Sequence, residues 1–174
     1  MAGSLVKIDE EIVTSAVASV TLGGANWDSS YDVYMVKMNN VKPTTNERKL
    51  FIRFTVSGTP DTSANYDRAL KTLLTNTTFA NSYTTNQTEI DTQDLGTDTG
   101  EQFNAVLYLF NFNNASEYSF GTAEYTAIDQ PARLVGGQGG FVNTVAQACN
   151  GIQFFLESSD NIASGTFTLY GLKK

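Results

Sequence analysis

The sequence predicts an all-β protein, an antiparallel β-sandwich or jelly roll with one short helix, and three observations predict it. The first is alternation. In residues 49–57 (KLFIRFTVS) Leu50, Ile52, Phe54 and Val56 share one side, while Phe51, Arg53, Thr55 and Ser57 take the other. Successive side chains of a strand point to opposite faces, so this period of two marks a half-buried strand. The second is a pair of such runs near the C-terminus, Ile152/Phe154/Leu156 and Phe167/Leu169, separated by the turn formers Ser158-Ser159-Asp160-Asn161 and Ser164-Gly165. The third is composition: Thr, Asn, Ser and Gly abound, and there are three prolines among 174 residues, as in all-β chains with many turns.

Taken in order, residues 4–24 contain alternation at Leu5–Ile8 and a run of small and β-branched residues ending at Gly23-Gly24. A helix over 9–20 is the alternative, but the β-branched load favours one or two strands. Residues 25–30 form a loop carrying the only tryptophan, Trp27. Residues 31–41 alternate again and stop near Pro43, and 58–64 form a loop around Pro60. In residues 65–74 (NYDRALKTLL), Tyr66, Ala69, Leu70 and Leu73 follow helical spacing behind a capping Asn65, which predicts the helix. Residues 76–100 are polar, with Phe79, Tyr83, Ile90 and Leu95 as anchors, and read as one long loop of the kind that makes functional or partner contacts. Strands resume at 104–111, 117–128 and 133–145 before the terminal pair. Eight to ten strands in one domain spanning 1–174, with 1–13 as an N-terminal arm, is the expectation.

Charge and residue inventory narrow the chemistry. The net charge is −7 and the basic residues are scattered, which argues against nucleic acid or an anionic membrane as partner. There is no histidine, so Ser-His-Asp and Cys-His nucleophile systems and HExxH metal sites are excluded. A single cysteine, Cys149, excludes an intramolecular disulfide and multi-thiolate zinc, and reads as a small buried hydrophobe. The opening residues lack the pattern of a signal peptide, and no run approaches the roughly 20 apolar residues that span a bilayer. Synthesis in the cytoplasm, without a cofactor, is the expectation.

Four constellations invite chemistry, each with a plainer alternative. The run Gly136-Gly137-Gln138-Gly139-Gly140 lacks the Lys-Ser/Thr or helix start of a phosphate loop and reads as a bend, bulge or close backbone approach. Asp91, Asp94, Asp98 and Glu101 supply clustered oxygens suited to Ca²⁺, without EF-hand spacing, against the reading of a solvated acidic loop. Asp9-Glu10-Glu11 suggests a glycosidase carboxylate pair, but such carboxyls must face each other across a cleft while neighbours in a strand diverge, and the plainer reading is an exposed acidic turn. Trp27, Tyr31 and Tyr34 would suit a sugar-stacking platform or, more commonly, a packed cluster. Three glycosylation sequons, at Asn76, Asn86 and Asn114, follow from a Thr/Asn-rich composition.

Residues 4–24, 31–43, 107–120 (LYLFNFNNASEYSF) and 152–172, above all the ending GTFTLYGL, resemble structural proteins of tailed bacteriophages, especially those of marine bacteria and cyanobacteria. The resemblance covers most of the chain and implies a non-enzymatic jelly-roll module of the virion. A capsid decoration, or cement, protein is the first expectation. It would bind the major capsid protein or other virion proteins, as a homotrimer on a local threefold axis. The alternative is a receptor-binding fibre or spike module recognising a host glycan or protein. The regions expected to make contact are the arm and the long loop, with Lys7, Asp9, Glu10, Trp27, Phe79, Tyr83 and Ile90 as candidate contact residues.

Overall fold

The computed structural model describes residues 4–75, 79–129 and 133–172. Among them lie thirteen strands: β1 (Leu5–Val13), β2 (Ser19–Gly23), β3 (Val33–Pro43), β4 (Arg48–Val56), β5 (Thr59–Pro60), β6 (Tyr66–Leu74), β7 (Phe79–Gln87), β8 (Ile90–Leu95), β9 (Phe103–Phe110), β10 (Ser119–Asp129), β11 (Arg133–Asn143), β12 (Gly151–Leu156) and β13 (Ile162–Leu172). One sheet runs β1-β13-β3-β9-β10-β11-β6-β7. The other runs β2-β12-β4, with β8 and the short β5 sharing the far side of β4. Every pairing is antiparallel.

Eight of these strands make a jelly roll. The four-strand rows β1-β13-β3-β9 and β2-β12-β4-β8 face each other, and each step along the eight changes sheet except that from β4 to β8. The other strands are insertions into that path. β5, β6 and β7 lie in the β4–β8 connection, β10 and β11 in the β9–β12 connection, and β10-β11-β6-β7 extends the first sheet beyond β9.

The core follows from the alternation. Tyr34, Val36 and Met38 of β3 and Leu50, Ile52 and Phe54 of β4 are buried, as are Phe154 of β12 and Phe167 of β13, whose rings meet between the sheets at 5.2 Å. Phe54 touches Phe112 (4.5 Å) within the roll and Phe141 (5.9 Å) in the extension, so one ring spans both parts.

Three sequence expectations are corrected. Residues 65–74 are not a helix but strand β6, hydrogen-bonded between β11 and β7. Its buried row is Tyr66, Arg68 and Leu70, and a charged residue in that row hides the period of two. The long loop contains β7 and β8. β7 is solvated on both faces, so its sequence carries no alternation. The glycine run 136–140 is the middle of a strand, not a bend. Gly137 lies opposite Tyr125 and Gly121 opposite Phe141, and a Cβ on either glycine would meet the facing ring at 1.9 and 2.2 Å. Rings lie over glycines in both directions, which lets β10 and β11 pack flat.

Candidate binding surface

The outer face of the extension is where the molecule leaves apolar surface in water. The register places Tyr83 of β7, Ala69 of β6, Gly140 of β11 and Thr122 of β10 in one row across the sheet. Small residues in the middle of that row make a trough of about 540 Å³, walled by Tyr83 at one end and by Phe120 and Val142 along one side. A Cβ on Gly140 would meet only the Gly121 carbonyl oxygen, at 3.7 Å, so the glycine keeps the floor low. On its walls Phe120 and Tyr83 are exposed, Tyr83 by 80%, and across a polar row of Asn81, Lys71, Gln138 and Glu124 the same face exposes Phe79, Leu73 and Leu134. Apolar surface gathered in a concave trough, unlike singly scattered exposed side chains, marks an interaction site. Its polar groups are few: the hydroxyls of Thr85 and Thr122, and the Asp67 carboxylate, which accepts the Asn86 N–H at 2.8 Å. Such a lining binds by area and orients its occupant with a few hydrogen bonds.

Beneath this face the extension is fastened by an ion pair. Arg68, only 5% exposed, places Nε 2.8 Å from Asp91 Oδ1 and donates from Nη2 to Asp91 Oδ2 (3.0 Å) and to the Ser82 hydroxyl (3.1 Å). Strands β6, β7 and β8 are thereby tied at one point. One charge-assisted hydrogen bond from Nη2 and the close approach of Nε hold the pair.

The candidate ion ligands are not brought together. Asp91 pairs with Arg68, and Asp94 lies opposite Lys49 in the β4–β8 ladder. Glu101 is buried and its Oε2 accepts the Asp98 N–H (2.9 Å), closing the turn, while the Lys42 ammonium donates to the carbonyls of Thr97 (3.2 Å) and Asp98 (2.8 Å). The chain's own cation thus sits where the turn offers oxygens. Among the described residues no group of three His, Cys, Asp or Glu side chains is placed to hold a metal.

The candidate contact residues divide. Phe79 and Tyr83 lie on the exposed face of β7, with the Lys71 ammonium 4.0 Å over the Phe79 ring. Ile90 is corrected: it is 1% exposed and belongs to the core. Trp27 stacks on Tyr34 (3.9 Å) and Phe112 (5.6 Å), and its indole N–H donates to Asn113 Oδ1 (2.8 Å). Asn113 also donates to the Tyr31 carbonyl and the Tyr34 hydroxyl, so Trp27, Tyr31 and Tyr34 plug one end of the sandwich rather than form a platform. The expected arm is strand β1 from Leu5 onward, laddered to β13. There Lys7 pairs with Glu10 (3.0 Å), holding the Glu10 carboxyl below its ordinary pKa with help from the Thr168 hydroxyl. Asp9 accepts the N–H of Gly23 (2.8 Å) and the Asn26 amide (3.1 Å). Of the sequons, Asn76 lies outside the described residues.

Elsewhere the displaced pKa values have structural causes. Burial pushes the Cys149 thiol up to about 11 and the Tyr66 hydroxyl upward, the latter donating to the Asp61 carbonyl and accepting the Phe54 N–H. Burial also pushes the Asp61 carboxyl up. The Ser63 N–H and the Asn143 and Gln147 amides outweigh it and leave the pKa low.

Phe120 and Val142 were not singled out by sequence reading, and Ala69 and Gly140 entered it only within a helical pattern and a glycine run. The signal available was the match between a glycine-rich run and two aromatic-bearing neighbours, which indicates a strand with room on one face. Compared with known proteins, the chain matches no protein-family model and no curated protein.

Proposed function

We propose that this protein is a non-catalytic binding module of a bacteriophage virion, serving as a capsid decoration protein. The outer face of β10-β11-β6-β7 would seat on neighbouring capsid subunits. One observation supports this above the rest: an apolar trough and its exposed aromatic rim sit on strands added to the jelly roll, where the fold itself does not use them. The resemblance to phage structural proteins supplies the setting. The reading calls for no cofactor, nucleic acid or membrane. Quantifying the chain in purified virions, heads and tails tests it. Decoration requires on the order of hundreds of copies, all on heads, because a cement site recurs with the capsid symmetry. Its absence from heads would overturn the assignment.

The aromatic walls of the trough favour a second reading, a fibre or spike module whose trough receives a host glycan or protein. Tens of copies, on fibres, together with binding of the purified chain to host cells, would select it.

A further inference from the structure

We propose that β7 is a self-association strand: two copies pair antiparallel through residues 79–83, across a two-fold axis passing at Asn81, to make one continuous sheet. The inference does not depend on a virion location. It begins with the chemistry of the edge. Strand β7 (FANSYTTNQ) contains no charged residue and no proline, and it pairs only with β6 among the described residues. Exposed edges of natural sheets are usually guarded by charges, proline, short length or bulges, because bare N–H and C=O groups recruit another strand. The opposite edge of the same sheet is guarded: β1 carries Lys7, Asp9, Glu10 and Glu11, and its register breaks between Lys7 and Asp9. Irregularity in β7 is confined to its far end, where the register shifts and Asn86 takes φ 55°. The stretch before it is regular.

Symmetry then fixes the register. Residues directly opposite in an antiparallel pair point to the same face, so a two-fold axis normal to the sheet must pass at a residue of β7 rather than between two. At Asn81 it sets Phe79 of each copy opposite Tyr83 of the other. Among the described residues these are the two most exposed large apolar side chains, at 60% and 80%. The rings would cover one another twice while remaining on the outer face, beside the trough. On the inner face Ala80 meets Ser82, and no charge opposes a like charge. Two alternatives are weaker. At a net charge of −7 per copy, contact through the charged edge is repulsive. Pairing β7 with β1 of the next copy would also propagate without closing, whereas the two-fold pairing closes. The structure therefore points to a dimer in place of the trimer expected from the sequence.

Sedimentation velocity and light scattering of the full chain over a concentration series, with two variants, test this. The native chain is expected to dimerise reversibly, and Tyr83→Lys to weaken the dimer at least about tenfold by replacing the ring that covers Phe79 of the second copy with a second ammonium beside that copy's Lys71, which already lies 4.0 Å over the Phe79 ring. Asn81→Cys is expected to form a disulfide-linked dimer under mild oxidation, since directly opposed strand residues fall within disulfide reach. Cys149 is 1% exposed and does not compete. Ile12→Cys on the guarded edge is expected not to cross-link. A native monomer at every concentration or a trimer would overturn the proposal. So would a dimer indifferent to Tyr83→Lys, or equal cross-linking by the two cysteine variants.

Discussion

The eight strands of the jelly roll and the four strands added to its edge are built on different principles. In the roll, large side chains from both sheets interlock: Tyr34, Phe54, Phe154 and Phe167 are each fully buried. The inner face of the extension alternates large side chains such as Tyr66, Leu70 and Val135 with small ones, Gly121 and Gly137, over which the Phe141 and Tyr125 rings lie, and it is pinned by the Arg68–Asp91 pair. The exposed large apolar residues of the roll's strands are aliphatic and lie on its edge strand β1 (Leu5, Val6, Ile12), apart from Tyr108 on β9, whereas the extension leaves Phe79, Tyr83, Phe120 and Leu134 facing water. Interlocked packing and exposed aromatic surface thus fall on different strands of the molecule.

Substitutions can break that contrast, beginning with the largest effect. Phe154→Ala removes a ring packed against Phe167 and is expected to cost about 3–5 kcal/mol, lowering the denaturant midpoint of the whole chain. Asp91→Ala leaves the Arg68 guanidinium buried without its carboxylate, at about 2–3 kcal/mol given partial solvent access. Here the loss should appear as faster amide exchange in β6 and β7 while β12 and β13 stay protected. Were β12 and β13 loosened equally, the two parts would be one cooperative unit. Gly137→Val forces a Cβ into the Tyr125 ring and is expected to cost about 1–3 kcal/mol, read by thermal unfolding.

Acidity sharpens the contrast further, because no histidine titrates near neutrality. The Asp61 and Asp160 carboxyls are held low in the fold, against the upward push of burial, by donors including Ser63 and Thr44. The native state therefore binds their protons less readily than the unfolded chain. That stability is present above about pH 4 and is lost as pH falls through the folded values. Cys149 and Tyr66 behave oppositely: burial raises them, so their contribution is full below about pH 8 and declines as pH rises. Urea midpoints should be flat from about pH 5 to 8 and fall on both sides.

Much of the roll was legible in the sequence because its strands have one wet and one dry face. The alternation of 49–57 gave β4, and the terminal pair gave β12 and β13. The extension was opaque for three separate reasons. Arg68 placed a charge in an inward row, and the glycines of β11 have no side chain to alternate. In β7, at the sheet's edge, both faces are solvated. Of the candidate surface, Phe79 and Tyr83 were visible as apolar residues stranded in polar sequence. The trough was not, since its floor is defined by absent side chains at Gly140 and Ala69.

Filling that floor is the most direct test that recognition resides on the added strands. Gly140→Val points a side chain into open space and is expected to change stability by no more than about 0.5 kcal/mol. Titrated against capsid shells stripped of this protein, it is expected to bind at least about tenfold more weakly than the native chain, while Ile12→Ser on the guarded edge binds normally. Undiminished binding by Gly140→Val, or loss confined to Ile12→Ser, would contradict the account.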